Sequence, residues 1–114
     1  MSFNRALGFA ADDEGTIVLD TRPEHEVMPG TIHFAVLATL GEVAAASAAA
    51  AGASARQIVP THLAVQLLRR AVPGRLAARG RLLKSGRTLA FAEGEVTQEG
   101  QLVAKVAVTF ARLG

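Results

Sequence analysis

Residues 34–55 read FAVLATLGEVAAASAAAAGASA, and from His33 to Arg56 the only charge carried between those two residues is that of Glu42. Alanine is the strongest helix former, and the run from Ala44 to Ala51 is nearly all alanine. The stretch therefore predicts a helix from about His33 to Ala51. Thr31 is suited to cap its start and Gly52 to stop it. A helix that is apolar all round is normally surrounded by protein, and alanine lets other elements approach its backbone closely. A carboxylate on such a helix must sit in the core or open onto a cavity. Isolated from water it loses several kcal/mol of hydration, so it gains protons more readily or finds a partner. Such groups gather where acid–base chemistry happens, which makes Glu42 the first candidate functional residue.

Outward from the helix, the pattern turns to strands. Upstream, residues 7–11 and 16–21 are short strand candidates, joined by Asp12-Asp13-Glu14-Gly15, a turn in which Gly15 suits a left-handed position. Residues 22–31 hold Pro23, Pro29 and Gly30 and read as a loop. Downstream, Leu63, Val65 and Leu67 alternate with Ala64 and Gln66, and Pro73-Gly74 is a turn. Arg75, Arg79 and Arg81 share one strand face, with Leu76, Ala78 and Leu82 on the other. Ser85-Gly86 and Glu99-Gly100 read as hairpin turns. Leu102, Ala104, Val106, Val108 and Phe110 alternate cleanly, the strongest strand signal in the chain. The expected order is two short strands, one buried helix, then a four-strand antiparallel meander: an α+β fold whose sheet wraps a single long helix.

At 114 residues, half of them hydrophobic, the chain suits a single domain spanning residues 1–114 with one core. It has no cysteine, hence no disulfide framework or thiolate nucleophile. That fits a reducing, cytoplasmic setting, and no signal peptide is apparent. The apolar stretch is long enough to span a bilayer. Its alanine-rich make-up, poor in Leu, Ile and Phe, is better explained by a helix buried inside a soluble protein, so no membrane partner is expected. Charge is uneven: residues 12–42 hold seven acids and one base, Arg22, and residues 56–87 hold eight bases and no acid. The basic segment could meet phosphates or be a solvated sheet face. No nucleic-acid partner is expected, because aromatics are few and no RNA-binding or helix-turn-helix signature accompanies the bases. The three histidines lack the close spacings of zinc ligands, so no metal is expected. Ser47 and Ser54 lack a nucleophile elbow, and no glycine-rich phosphate loop is present.

The ordered motifs resemble the hotdog fold, in particular the acyl-CoA thioesterases of the phenylacetate-pathway type and related uncharacterised hotdog domains. Leu7-Gly8-Phe9 with Pro23-Glu24-His25 is similar to the family's N-terminal lead-in. Gly30-Thr31-Ile32-His33 resembles its Gly-Thr-x-His run before the central helix. Leu37-Ala38-Thr39-Leu40-Gly41-Glu42 resembles its Leu-Ala-Thr-Leu-x-Asp/Glu run. Leu63-Ala-Val-Gln-Leu-Leu-Arg-Arg-Ala71, then Pro73-Gly74, resembles its next strand and turn, and Gly86-Arg87 its Gly-Arg hairpin. Phe34-Ala35 stands where typical members have Gly-Gly, and Val27 where many carry Asn or Gln.

The resemblance implies hydrolysis of an acyl-CoA, with no cofactor, in a homodimer or homotetramer. Helix geometry points the same way. Nine residues turn through about 900° and advance about 13.5 Å, which leaves His33 and Glu42 on opposite faces. Two copies related by a two-fold axis can bring them together. Glu42 would then act as general base or nucleophile. By resemblance the Phe34 amide at the helix N-terminus would hold the oxyanion, and His33 would orient the loop or polarise the carbonyl. The bland alternatives are a structural carboxyl at a dimer seam for Glu42 and a helix cap for His33. His25 and His62 read as ordinary surface or strand histidines. Arg56, Arg69, Arg70, Arg81 and Arg87 are candidates for the coenzyme A phosphates, because guanidinium forks match phosphate oxygens. The acyl group would lie near Phe34, Leu37 and the alanine-rich helix. Val27 in place of a polar residue keeps a second reading open: a hotdog domain that binds an acyl thioester or another apolar ligand without turnover. A hydratase would need a closely placed His and Asp that the sequence does not display.

Overall fold

The computed structural model describes residues 2–51 and 57–113. A short helix α1 (Ser2–Leu7) leads into strands β1 (Ala10–Ala11) and β2 (Ile17–Asp20). A 3₁₀ turn over Pro23–His25 follows, then β3 (Glu26–Met28), β4 (Thr31–Ile32) and the long helix α2 (Phe34–Ala51). Strands β5 (Ile58–Leu67), β6 (Arg75–Ser85), β7 (Leu89–Gln98) and β8 (Gln101–Arg112) complete the chain. The large sheet has the order β1-β2-β6-β7-β8-β5, with every pairing antiparallel. It wraps one side of α2, which packs on β6, β7 and β8. This is the hotdog arrangement that the motif order implies.

Four local expectations are corrected. The chain before Gly8 is helical, and pairing begins only at Ala10. Residues 22–31 are not a plain loop, since β3 and β4 form a separate two-stranded hairpin. Thr31 lies in β4 and does not cap α2; His33 does, its Nδ1 accepting the Ala35 amide at 2.9 Å. The last four strands are not a simple meander. β5 pairs with β8, from Ile58 opposite Arg112 to Leu67 opposite Ala104, and so forms a free edge of the sheet. Alternation of side chains reports which face is buried but not which neighbour a strand takes. The Gly52 stop lies outside the described residues.

Glycine sets the distance between helix and sheet. Gly80 and Gly94 are cross-strand partners on β6 and β7. A Cβ at Gly80 would collide with the carbonyl of Ala44, and one at Gly94 with the carbonyl of Gly41. On the helix, a Cβ at Gly41 would collide with Val106. The helix backbone therefore rests almost directly on the sheet, with Leu40, Ala44 and Ala45 fully buried at the contact. Val96, Val106 and Phe110, also fully buried, fill the space around it. The opposite stripe of α2 is open: Phe34, Ala35, Ser47 and Ala50 are exposed, and Glu42, Val43 and Ala46 only partly covered. Length and composition alone would let α2 cross a membrane, but here it packs as a core helix covered on one side only.

Candidate active site

Glu42 follows Gly41, where a Cβ would collide with Val106 and the helix face against the sheet is therefore glycine. Its carboxyl is half-buried and faces the gap between α2 and β5. Burial, with no compensating charge, pushes its pKa up from the usual glutamate range. No hydrogen bond or ion pair reaches Glu42 among the described residues. Of the two sequence alternatives, the carboxylate opens onto a cavity. One cavity of about 400 Å³ is lined by Ala38, Thr39 and Glu42 with residues 60–63 of β5. A second, of about 590 Å³, runs along the helix past Val43, Ala46 and Ala50 to Ile58, Phe110 and Phe3 of α1. Thr39, Glu42 and Pro60 line both, so Glu42 stands at their junction.

The start of α2 forms a second centre. The helix leaves its first amides without internal partners. Ala35 N–H is taken by His33 Nδ1 at 2.9 Å, whereas the Phe34 amide has no partner among the described residues. Because Nδ1 accepts a hydrogen bond, the proton of neutral His33 sits on Nε2. Its ring stacks on Phe34, centroids 4.7 Å apart. A cavity of about 440 Å³ joins Val27, Phe34 and Leu37 to residues 67–71, including Arg69 and Arg70. Arg70 reaches back to the Gly30 carbonyl at 3.3 Å. Phe34 lines neither cavity that Glu42 lines, so one chain does not bring its two candidate centres together.

The candidate arginines separate. Arg69 and Arg70 lie beside Phe34. Arg81 donates to Glu93, a nearly buried carboxylate that Lys105 also contacts at 3.5 Å, on the sheet face away from the helix. Arg81 first, and then Lys105, hold the Glu93 pKa below the usual range. Arg87 lies in the β6–β7 hairpin, at the other end of the sheet from Arg69. Arg112 N–H bonds the Thr88 carbonyl there, while the Leu68 and Arg69 amides bond Val103. Nine residues of β8 separate those points, about 30 Å. Arg56 lies outside the described residues.

His25 is not a surface histidine. It is buried, accepts the Arg22 amide at Nδ1 and donates from Nε2 to the Leu7 carbonyl. Its own carbonyl takes the His33 amide, so it ties α1 to the lead-in of α2. His62 is exposed on β5 and lines a Glu42 cavity, a position its strand assignment left open. The Gly80–Gly94 pair had no signal in the periodicity, although two glycines inside strands are the usual mark of a close backbone approach.

The thioesterase superfamily matches residues 29–105, which includes both candidate centres. No curated protein sequence matches the chain. Among solved structures, a conserved protein of Pseudomonas aeruginosa is similar at 25% identity with a TM-score of 0.90, covering 99% of this chain and 94% of that one. The phenylacetic acid degradation-related protein of Ralstonia eutropha is 24% identical with a TM-score of 0.85, over 96% and 89% of the two chains. A Bacillus halodurans protein solved with CoA is 18% identical with a TM-score of 0.91, over 99% and 76%.

Proposed function

We propose, from the premise that the chain belongs to the thioesterase superfamily, that it hydrolyses an acyl-CoA at a site shared between two copies, with Glu42 as general base or nucleophile. The observation that carries this reading is the unpartnered, half-buried Glu42 carboxyl at the junction of two cavities. As a base, the Glu42 carboxylate would take a proton from water while the oxygen attacks the thioester carbonyl. The C–S bond then breaks, and the proton passes to the departing thiolate, leaving a carboxylic acid and coenzyme A thiol. As a nucleophile, the Glu42 carboxylate would attack the thioester carbonyl and break the C–S bond, expelling coenzyme A thiolate and forming a mixed anhydride. Water would then open the anhydride to the carboxylic acid and free Glu42, the released proton going to the thiolate. The raised pKa makes the Glu42 carboxylate a stronger base than an ordinary glutamate. The Phe34 amide would hold the carbonyl oxygen, with His33 Nε2–H available as a second donor.

The shared site rests on the free edge. Val59, Leu63 and Leu67 are exposed on β5, and an unpaired apolar edge invites a second strand. A two-fold axis passing beside Val65, toward the C-terminal end of β5, would set residues 60–63 of one copy beside residues 67–70 of the other. The Glu42 cavity would then meet the other copy's Phe34, Arg69 and Arg70. The end of the sheet that carries Arg87 would come to that same side. A homodimer is the smallest such unit, and a homotetramer built from it is compatible. The whole chain acts as one hotdog domain in this proposal, in the cytoplasm, with no cofactor.

The test is a screen of acyl-CoAs with a free-thiol readout on the purified protein and on Glu42→Gln, with sedimentation of both. Hydrolysis should fall about 10²–10⁴-fold in the variant, at a mass of at least twice the 11.8 kDa of one chain. Wild-type hydrolysis in Glu42→Gln would refute the assignment, and an active monomer would refute the shared site. The second reading, binding without turnover, is favoured by Val27, an exposed apolar side chain at the Phe34 cavity. It predicts acyl-CoA binding with no thiol release in either protein.

A further inference from the structure

The two cavities that meet at Glu42 differ in kind, and the difference bears on the substrate. The smaller is walled by Pro60, Thr61 and His62 beside Ala38 and Thr39. The larger follows the C-terminal half of α2, and its walls are mainly apolar, with Val43, Ala46, Ala50, Ile58, Phe110 and Phe3 outweighing the polar Asn4, Thr39 and Ser47. Its floor is made of the smallest side chains that a helix can carry. An alanine-rich helix is required on the sheet side, where Ala44, Ala45 and Ala49 are buried. On the open side Ala46, packed at the margin of the sheet core, and Ala50, exposed, both line the groove. The open-side alanines leave a trough beside a carboxylate.

We infer that this trough holds the acyl chain of the substrate, and that it selects a chain of medium length, about ten carbons. The inference rests on the acyl-CoA reading above and moves the acyl end from Phe34 and Leu37 to the far half of the helix. The length follows from the helix itself. From Glu42 to Ala50 the axis advances about 12 Å. An extended carbon chain advances about 1.2 Å per bond, as the three bonds of an extended residue span about 3.6 Å. With the carbonyl beside Glu42, about ten carbons reach Ala50. Ala46 lies halfway, about 6 Å along, so a large side chain there would close the trough at about the fifth carbon. Phe3 of α1 borders the trough from outside, and α1 is held in place by the bond from His25 to the Leu7 carbonyl.

The experiment measures binding, so that it stands apart from turnover. Alkyl thioether analogues of coenzyme A, from four to sixteen carbons, are titrated by calorimetry into the full-length protein. Affinity should tighten about two- to fourfold per methylene while each added carbon is buried, and level off near ten carbons. Ala46→Leu should bring the break back to about five carbons. Ala50→Leu, at an exposed position where folding is not at stake, should bring it to an intermediate length. Affinity that ignores chain length, or that climbs steadily to sixteen carbons, would overturn the inference. So would a break that neither variant moves. A break at ten carbons with no thiol release from the matching thioesters would uphold the trough and sink the hydrolase reading. Hydrolysis with length-independent binding would do the reverse.

Discussion

Replacing Gly94 with alanine tests the contact on which the position of Glu42 depends. In a strand the exchange should help, since glycine there costs about 0.5–1 kcal/mol in chain entropy. Here the new Cβ meets the carbonyl oxygen and carbon of Gly41, which are backbone atoms that cannot rotate away. Ordinary contact is about 3.5–4.0 Å, so helix and sheet must separate by the order of 1 Å. A gap of that size forfeits up to about half of each pairwise attraction of about 0.1–0.2 kcal/mol. Over about 20 such pairs, fewer than the roughly 40–60 contacts that one buried leucine makes, that loss is about 1–2 kcal/mol. Overpacking strain adds about 1–3 kcal/mol. Less the entropy returned, Gly94→Ala should cost about 3 kcal/mol, or about 12–24 °C in Tm for a domain of this size. Thermal and urea unfolding would be compared at one protein concentration, because dimerisation contributes to apparent stability. Gly41→Ala provides the contrast. Its Cβ meets the side chain of Val106, so Val106→Ala should relieve part of its cost in a double-mutant cycle, whereas Val106→Ala should give no comparable relief to Gly94→Ala. A loss below about 1 kcal/mol for Gly94→Ala would refute the close helix–sheet contact.

Glu42→Gln carries a stability signature independent of turnover. Because burial raises the Glu42 pKa in the folded chain, its stabilising share is whole below the unfolded value of about 4.3 and is lost as pH rises through the folded value. The variant should therefore match the wild type near pH 4 and exceed it in Tm toward pH 7; equal melting at both would argue against a desolvated carboxylate. Arg70→Ala, at the Phe34 cavity, should raise KM for acyl-CoA with little change in kcat, the mark of binding shared by ground and transition states. Arg81→Ala should leave KM alone, because Arg81 is engaged by Glu93 on the other face of the sheet; a KM increase in Arg81→Ala alone would reverse the assignment of the phosphate site.

How much was legible in the chain depended on whether a signal was local. The alternation from Leu102 to Phe110 identifies β8, and the alanine run identifies α2, because both patterns record which side of an element is buried. The turn at Asp12 was legible for the same reason: Asp12 Oδ1 accepts the Glu14 and Thr16 amides at 2.9 Å, and Gly15 takes φ +82°. Glu42 stood out as a lone charge in an apolar stretch. What was hidden is what depends on pairing across the sheet. β5 looks like the first strand of a meander, yet it bonds to β8, the last, and nothing in its own residues names that neighbour. His25 looks like any loop histidine until α1 and Arg22 close around it. Gly80 and Gly94 lie fourteen residues apart in different strands, and only their register opposite each other reveals one seat for the helix. The open stripe of α2 is the most instructive case. The helix reads as buried all round, and the sheet of one chain covers only half of it. That excess of apolar surface is what a second copy and an acyl chain would bury between them, so the part of the pattern that one chain leaves unexplained is the part that carries the proposed function.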